Sequence, residues 1–390
     1  MRAAVSTVWR HPSSRAVALV FAFVSTLYGT WIARIPEIQH ALDLSETALG
    51  WALLGAPVGM LCVMPVAGWM IARWSAGPVT LGAAAAFAAV LSAPAWAWNG
   101  WALAGALMLI GVTDGVLNVA MNARANAVEE QRETPILSTC HGFFSVGGMI
   151  GAGVGSATAA LGLPLNASLI GVGIVGLVVV GLHRHNLRVG ATTQSAGPVF
   201  ALPTRALLGV ALLVFCVLLS EGAVSNWSAV YLRNALGASA SVAALGYASF
   251  SLAMAVGRFY GDRLTHRFGP QRVVQTGGAF AAVGLGGGVL IGHPIAALVG
   301  FGLMGLGYAT LIPVLFRTAA KTPGLAPGTS LAAVASVGYL GLFAGPPALG
   351  GLADAWGLAW VMGLLALLSA LVALNAHWVL PNRALATAES

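Results

Sequence analysis

The residues with the most chemical content lie between Gly111 and Asn122, in GVTDGVLNVAMN. One carboxylate, Asp114, is followed at intervals of four by two amides, Asn118 and Asn122. That spacing places all three on one face of a helix, with Gly111 and Gly115 beside them. Val112, Val116, Val119 and Ala120 occupy the opposite face. A polar stripe is costly in lipid, so this one must face protein or a water-filled cavity, and we expect it to line a transport path. Asp114 sits about thirteen residues into its span, roughly 20 Å at 1.5 Å per residue, close to mid-bilayer. An acid at that depth suits proton coupling or contact with a solute, the alternative being a structural acid that pins two helices.

Glu221, in LLSEGAVSNWSAVYL, is the second deep acid; Ser225 and Ser228 share its face, and Asn226 and Trp227 follow. Asp114 and Glu221 are therefore the candidate proton-coupling groups. Asn118, Asn122, His141, Asn226, Trp227, Trp31 and Tyr308 are the candidate solute-binding groups. His141 has Ser138 and Ser145 on its helical face and reads as a proton relay or as a helix–helix hydrogen bond. These three aromatic rings, and with them Tyr28, Tyr231, Phe250 and Tyr339, can stack on a sugar or another planar ligand, or anchor the chain at the interface. Arg34, Pro36 and Glu37, at the outer end of the first span, read as an interfacial anchor or gate. A last group lies in GRFYGDRLTHRFGPQRV: Gly261, Asp262, Arg263 and Arg267, with Arg73 in the first half, fit a conformational latch that holds one state and breaks in the other. Plain basicity on one side of the membrane is the other account of these charges.

The elements that carry these residues follow from composition. The chain has 390 residues, 58% of them hydrophobic and only 7% charged. Soluble domains are about 25% charged, so this chain is integral to a membrane and its net charge is no nucleic-acid signal. Cys62, Cys140 and Cys216 have neither metal-ligand spacing nor the even count of a disulfide framework. No HExxH, Walker loop or GxSxG is present, so neither an enzyme, a cofactor nor a metal is expected, and any transport is secondary. Arg2, Arg10 and Arg15 before an apolar run are compatible with a signal peptide, but the length of that run favours a retained first helix.

Spans of about 20 apolar residues can be placed twelve times. They cover 15–35, 48–72, 78–98, 101–123, 136–160, 163–183, 206–231, 242–261, 272–292, 294–316, 329–352 and 356–379. All eighteen basic residues except Arg34 and Arg233 fall at the termini or on even-numbered connections, which predicts that both termini are cytoplasmic. The basic and polar stretch from His183 to Thr204 divides the chain into a bundle over 1–183, a cytoplasmic linker over 184–205 and a bundle over 206–390. The halves look like repeats: ALDLSETALGW opens the second span and ALGASASVAALGY the eighth. Gly147, Gly151 and Gly155 in the fifth span correspond to the Gly- and Pro-rich run from Gly341 to Gly351 in the eleventh. Parallel six-helix repeats suggest a transporter.

With these features in hand, the chain resembles the major facilitator superfamily along essentially its whole length. GRFYGDRLTHRFG is similar to that family's Gly/Asp/Arg loop motif, and GWMIARWSAG is its first-half copy with Ala72 and Arg73 where Asp-Arg is usual. Asp114-x-x-x-Asn118 resembles the acid-x-x-x-Asn of fucose permeases, HGFFSVG stands where those proteins have a Gln/Asn-containing start to the fifth span, and by that resemblance Asp114 carries the proton. Where that group has an embedded Asp in the first span, this chain has Ile32 or Arg34. EGAVSNWSAVYL and RIPEI resemble a poorly characterised bacterial branch near the fucose permeases, and GLFAGPPALGG resembles a Gly-Pro motif that exporters carry on the fifth span.

The expectation is thus an all-α integral membrane protein of twelve transmembrane helices in two pseudo-symmetric six-helix bundles. It would be a monomeric, proton-coupled secondary transporter of a small polar organic solute in the bacterial inner membrane, working by alternating access. Its partners would be the small-molecule substrate, protons and the lipid bilayer. The alternatives are a proton-driven exporter of drugs or metabolites, and a non-transporting receptor on the same fold.

Overall fold

The structure is a computed structural model, and it describes residues 8–134, 136–188 and 201–380. Among these residues twelve helices are long and apolar enough to cross a membrane. In the first half these are α1 (Pro12–Ala33), α2 (Glu46–Trp74), α3 (Ala76–Trp96), α4 (Gly100–Arg132), α5 (Leu137–Ala160) and α6 (Leu165–Leu182). In the second half they are α7 (Arg205–Ala235), α8 (Ala240–Phe268, its apolar span ending at Gly261), α9 (Pro270–Ile291), α10 (Pro294–Ala320), α11 (Pro327–Trp356) and α12 (Leu358–Val379). Each expected span coincides with one of them. Of the expected linker, 184–188 is a short helix and 201–204 is irregular chain, whereas 189–200, like Arg2 and Arg383, lies outside the described residues.

Local chemistry sets the helix ends. The Asn99 side chain accepts from the Ala102 amide at 2.8 Å and starts α4, and Ser45 does the same for α2 at 3.2 Å. α4 runs nine residues past the sequence-based limit of 123, to Arg132. There Glu129 turns back to accept the Ile136 and Leu137 amides at 2.9 and 3.0 Å, capping the start of α5. α10 breaks at Ala309–Thr310 before Pro313, which cannot donate a backbone hydrogen bond to the preceding turn. α7 finishes in a π-helical turn over Tyr231–Ala235.

The chain divides into two compact units. Unit 1 holds α1–α6 together with the segment Ser239–Ala248 of α8, and unit 2 holds α7, the remainder of α8 and α9–α12. In unit 1, α1 packs along α5 and α2 along α4. The reason is backbone contact at glycine. A Cβ on Gly147 or Gly151 would collide with the Ala22 or Thr26 carbonyl, and one on Gly111 with the Ala56 carbonyl. The hydroxyl of Thr30 bonds the Gly151 carbonyl across the first of these seams at 3.1 Å. α1 is buried along most of its length, whereas α6 exposes Ile170, Ile174, Val175 and Val178, as a lipid-facing helix does. In unit 2, α7 packs along α11 and α9 along both α10 and α12. Gly277 and Gly307 bring the backbones of α9 and α10 together in the same manner.

Candidate functional site: two membrane-embedded acids

Asp114 projects from the middle of α4 and is only 8% exposed. Tyr28, on α1, places its hydroxyl near this carboxylate, where it can serve as a hydrogen-bond donor. The Tyr28 ring lies 5.3 Å from that of Phe87 on α3, which fixes its direction. Tyr247, on the segment of α8 that belongs to unit 1, is close enough to Tyr28 to act on it electrostatically. That segment is tied down by the Ser156 hydroxyl, which donates to the Ser241 carbonyl at 2.8 Å. Asp114 thus has a neutral hydroxyl at hand as a hydrogen-bond donor.

The rest of the stripe divides by role. Gly111 and Gly115 pack against α2 and leave Asp114 as the stripe's charged member. Asn122 folds its amide onto its own helix, donating to the Asn118 carbonyl at 2.8 Å, so one donor of the stripe is already used. Asn118 and Asn122 are both half-buried. His141 stands edge-on to Phe21 at 5.2 Å, and its carbonyl accepts the Ser145 hydroxyl at 3.3 Å. Trp31, one turn beyond Tyr28, is buried and presents no ring face to a solute in this conformation.

In unit 2 the second acid has a different neighbour. Glu221 on α7 lies 3.9 Å from a guanidinium nitrogen of Arg258 on α8. Ser225 turns its hydroxyl back to the Glu221 carbonyl at 3.0 Å, and Asn226 is half-buried. Trp227 is 0% exposed. Tyr308 is buried too, its hydroxyl 2.7 Å from that of Ser369 on α12. Two of the expected stacking rings, Trp227 and Tyr308, therefore serve the packing of unit 2 in this conformation. The aromatic residue types were right for a ligand surface, but burial is decided by the faces of neighbouring helices.

Two partners escaped the sequence. Tyr28 reads there as one aromatic among several, and nothing in its spacing points to an acid eighty-six positions away. Arg258 reads as connection basicity, although it falls within the limits of α8, and that position was the available signal. Arg124, also counted as connection basicity, is buried and donates to the Asn186 carbonyl at 3.1 Å. Arg34 is 2% exposed and gathers three segments. It bonds Thr158 at 2.9 Å, Ser168 at 3.1 Å and the Leu163 carbonyl at 2.7 Å, and it pairs with Glu37. That makes it a clamp on α5 and α6.

Of the expected latch, Gly261 packs against the Thr310 methyl, and the Arg267 guanidinium lies 5.2 Å above the Phe268 ring. Arg73 and Arg263 are exposed, and the Asp262 side chain lies outside the described residues. No group of three or more His, Cys, Asp or Glu residues that could hold a metal occurs among the described residues.

Comparison with known proteins agrees with this architecture. The family model described as Major Facilitator Superfamily matches residues 16–208 and 210–389. An uncharacterized MFS-type transporter of Yersinia pestis is 33% identical over 362 residues, covering 93% of this chain and 94% of that protein. A bacterial homolog to the human lysosomal transporter Spinster, solved in an inward-facing and occupied conformation, superposes with a TM-score of 0.74 at 15% identity, covering 93% of this chain and 95% of that one. The E. coli fucose:proton symporter superposes with a TM-score of 0.63 at 18% identity, covering 95% and 99%. The chain belongs to the major facilitator superfamily and is a multi-pass membrane transporter of a small-molecule substrate.

Proposed function

We propose that this transporter is a proton-coupled secondary carrier of a small polar organic solute, and that Asp114 is the group that takes and releases the proton. The observation that carries the proposal is the pairing of a buried, mid-span carboxylate with the Tyr28 hydroxyl. A hydroxyl can donate to a carboxylate and accept from a carboxylic acid, so it satisfies both protonation states without stranding a charge. Protonation removes a midplane charge and allows the two halves to rock past the solute; release on the other face restores it. Asn118, Asn122 and His141 supply polar contacts for the solute in the first half, and Asn226 in the second. Trp31, Trp227 and Tyr308 join them only in a conformation that uncovers their rings. Glu221 tunes the second half through Arg258. The helical segment from Gly261 to Arg267, which the structure makes the end of α8 rather than a loop, acts with Arg73 as the latch.

The distribution of basic residues supports cytoplasmic termini and residence in the bacterial inner membrane. The solute class draws on residue chemistry and on one structural neighbour, a fucose:proton symporter. The test is Asp114→Asn in proteoliposomes. Uptake driven by an imposed pH gradient should fall to background while solute exchange persists; undiminished proton-driven uptake would remove Asp114 from the role. Inside-out vesicles assign direction, since an exporter would load solute against the proton flow.

A further inference from the structure

Unit 2 carries a second place where chemistry and shape coincide. The ends of α8 and α9 and the middle of α10 enclose a groove of about 410 Å³. Leu264 and Phe268 of α8, Phe280 of α9 and Leu306 of α10 line it. These large apolar side chains remain well exposed, from 38% for Leu306 to 44% for Phe280. Gly257, Gly277 and Gly307 also line the groove, the last two holding the α9 and α10 backbones in contact. Groups of this kind face hydrocarbon, so the groove opens to lipid.

Its charge is confined to one end. Arg272 lines the groove, and Arg267 stacks over the ring of Phe268 that forms part of the wall. One turn further along α10, from Thr310 to Val314, a second cavity of about 650 Å³ is lined by His266, Arg317 and Lys321 together with Thr265 and Thr318. Among the described residues, neither set of lining residues contains a carboxylate. From Arg272 to Phe280 the groove runs along eight residues of α9, about 12 Å into the span.

We propose that this groove is a binding site for an anionic phospholipid. The acyl chain lies along Phe280 and Leu306, and the phosphate sits at the Arg267 and Arg272 end. Arg317 and Lys321 add positive field beside it. Any acyl chain can fill an apolar groove; the cations at one end are what select an anionic headgroup over a zwitterionic one.

The full-length protein in detergent is titrated with phosphatidylglycerol or with phosphatidylcholine of the same acyl chains, and its thermal unfolding is followed. Phosphatidylglycerol should protect at lower concentration. Each of Arg267→Gln and Arg272→Gln should cut that preference about fivefold, while the corresponding Lys variants keep it. Thr276→Trp, which fills the groove from an exposed lining position, should abolish protection by both lipids. Equal protection by the two lipids, or a preference that survives both Gln substitutions, overturns the proposal. So does equal protection by inorganic phosphate, which would mark a site for soluble anions.

Discussion

The two embedded acids are handled differently by the two units. Asp114 meets a hydroxyl, that of Tyr28, and Glu221 meets a guanidinium, that of Arg258. Protonating Asp114 asks only that Tyr28 reverse its hydrogen bond. Protonating Glu221 instead removes the carboxylate that faces the Arg258 guanidinium at 3.9 Å. The lesson is that depth alone does not designate a proton carrier. The neighbour decides whether a charge can come and go.

The sharpest way to break this comparison is to neutralise each acid in turn. Asp114→Asn should take pH-gradient-driven uptake to background, whereas Glu221→Gln should leave a clear gradient-driven component. Equal loss in both variants would mean that the hydroxyl and guanidinium environments do not separate the roles. Tyr28→Phe comes next. It removes the donor but keeps the ring against Phe87, and gradient-driven uptake should drop about tenfold, the worth of one hydrogen bond to a charged group, with a displaced pH midpoint. A pH profile that does not move would show that the hydroxyl is not part of the proton site.

Smaller effects probe the scaffold that holds each acid. Gly111→Ala places a methyl on the Ala56 carbonyl and should destabilise by about 1–3 kcal/mol. Gly105→Ala, on the same helix with nothing within 4 Å, should instead gain about 0.5–1 kcal/mol. Thermal unfolding of the two variants side by side reads the sign. The smallest effect belongs to the Glu221–Arg258 pair. At 3.9 Å and about a quarter exposed, it should show a coupling of about 0–1 kcal/mol in a double-mutant cycle with Glu221→Gln and Arg258→Gln. A coupling of several kcal/mol would make Glu221 a structural anchor of unit 2.

Much of the architecture is legible in the residues themselves. Twelve apolar runs of spanning length admit only helices, because a backbone in lipid must satisfy its own hydrogen bonds. The mid-span acids Asp114 and Glu221 are visible for the same reason: a charge inside an apolar run stands out whatever surrounds it. The glycine ladder at Gly147 and Gly151 announces a close helix contact, but not that α1 is the partner. Trp227 and Tyr308 show the limit from the other side, since their suitability for stacking says nothing about whether a neighbour covers them.

Sequence by itself therefore determined the helices, their number and the presence of an acid inside two apolar spans, because all of these follow from local hydropathy and length. Tertiary structure alone decided who faces whom. Tyr28 reaches Asp114, Arg258 reaches Glu221, and Arg34 gathers Thr158, Leu163 and Ser168. Those pairings depend on the rotation and register of one helix against another. Rotation and register are set by the summed packing of many side chains and glycine contacts, none of which is local in the chain.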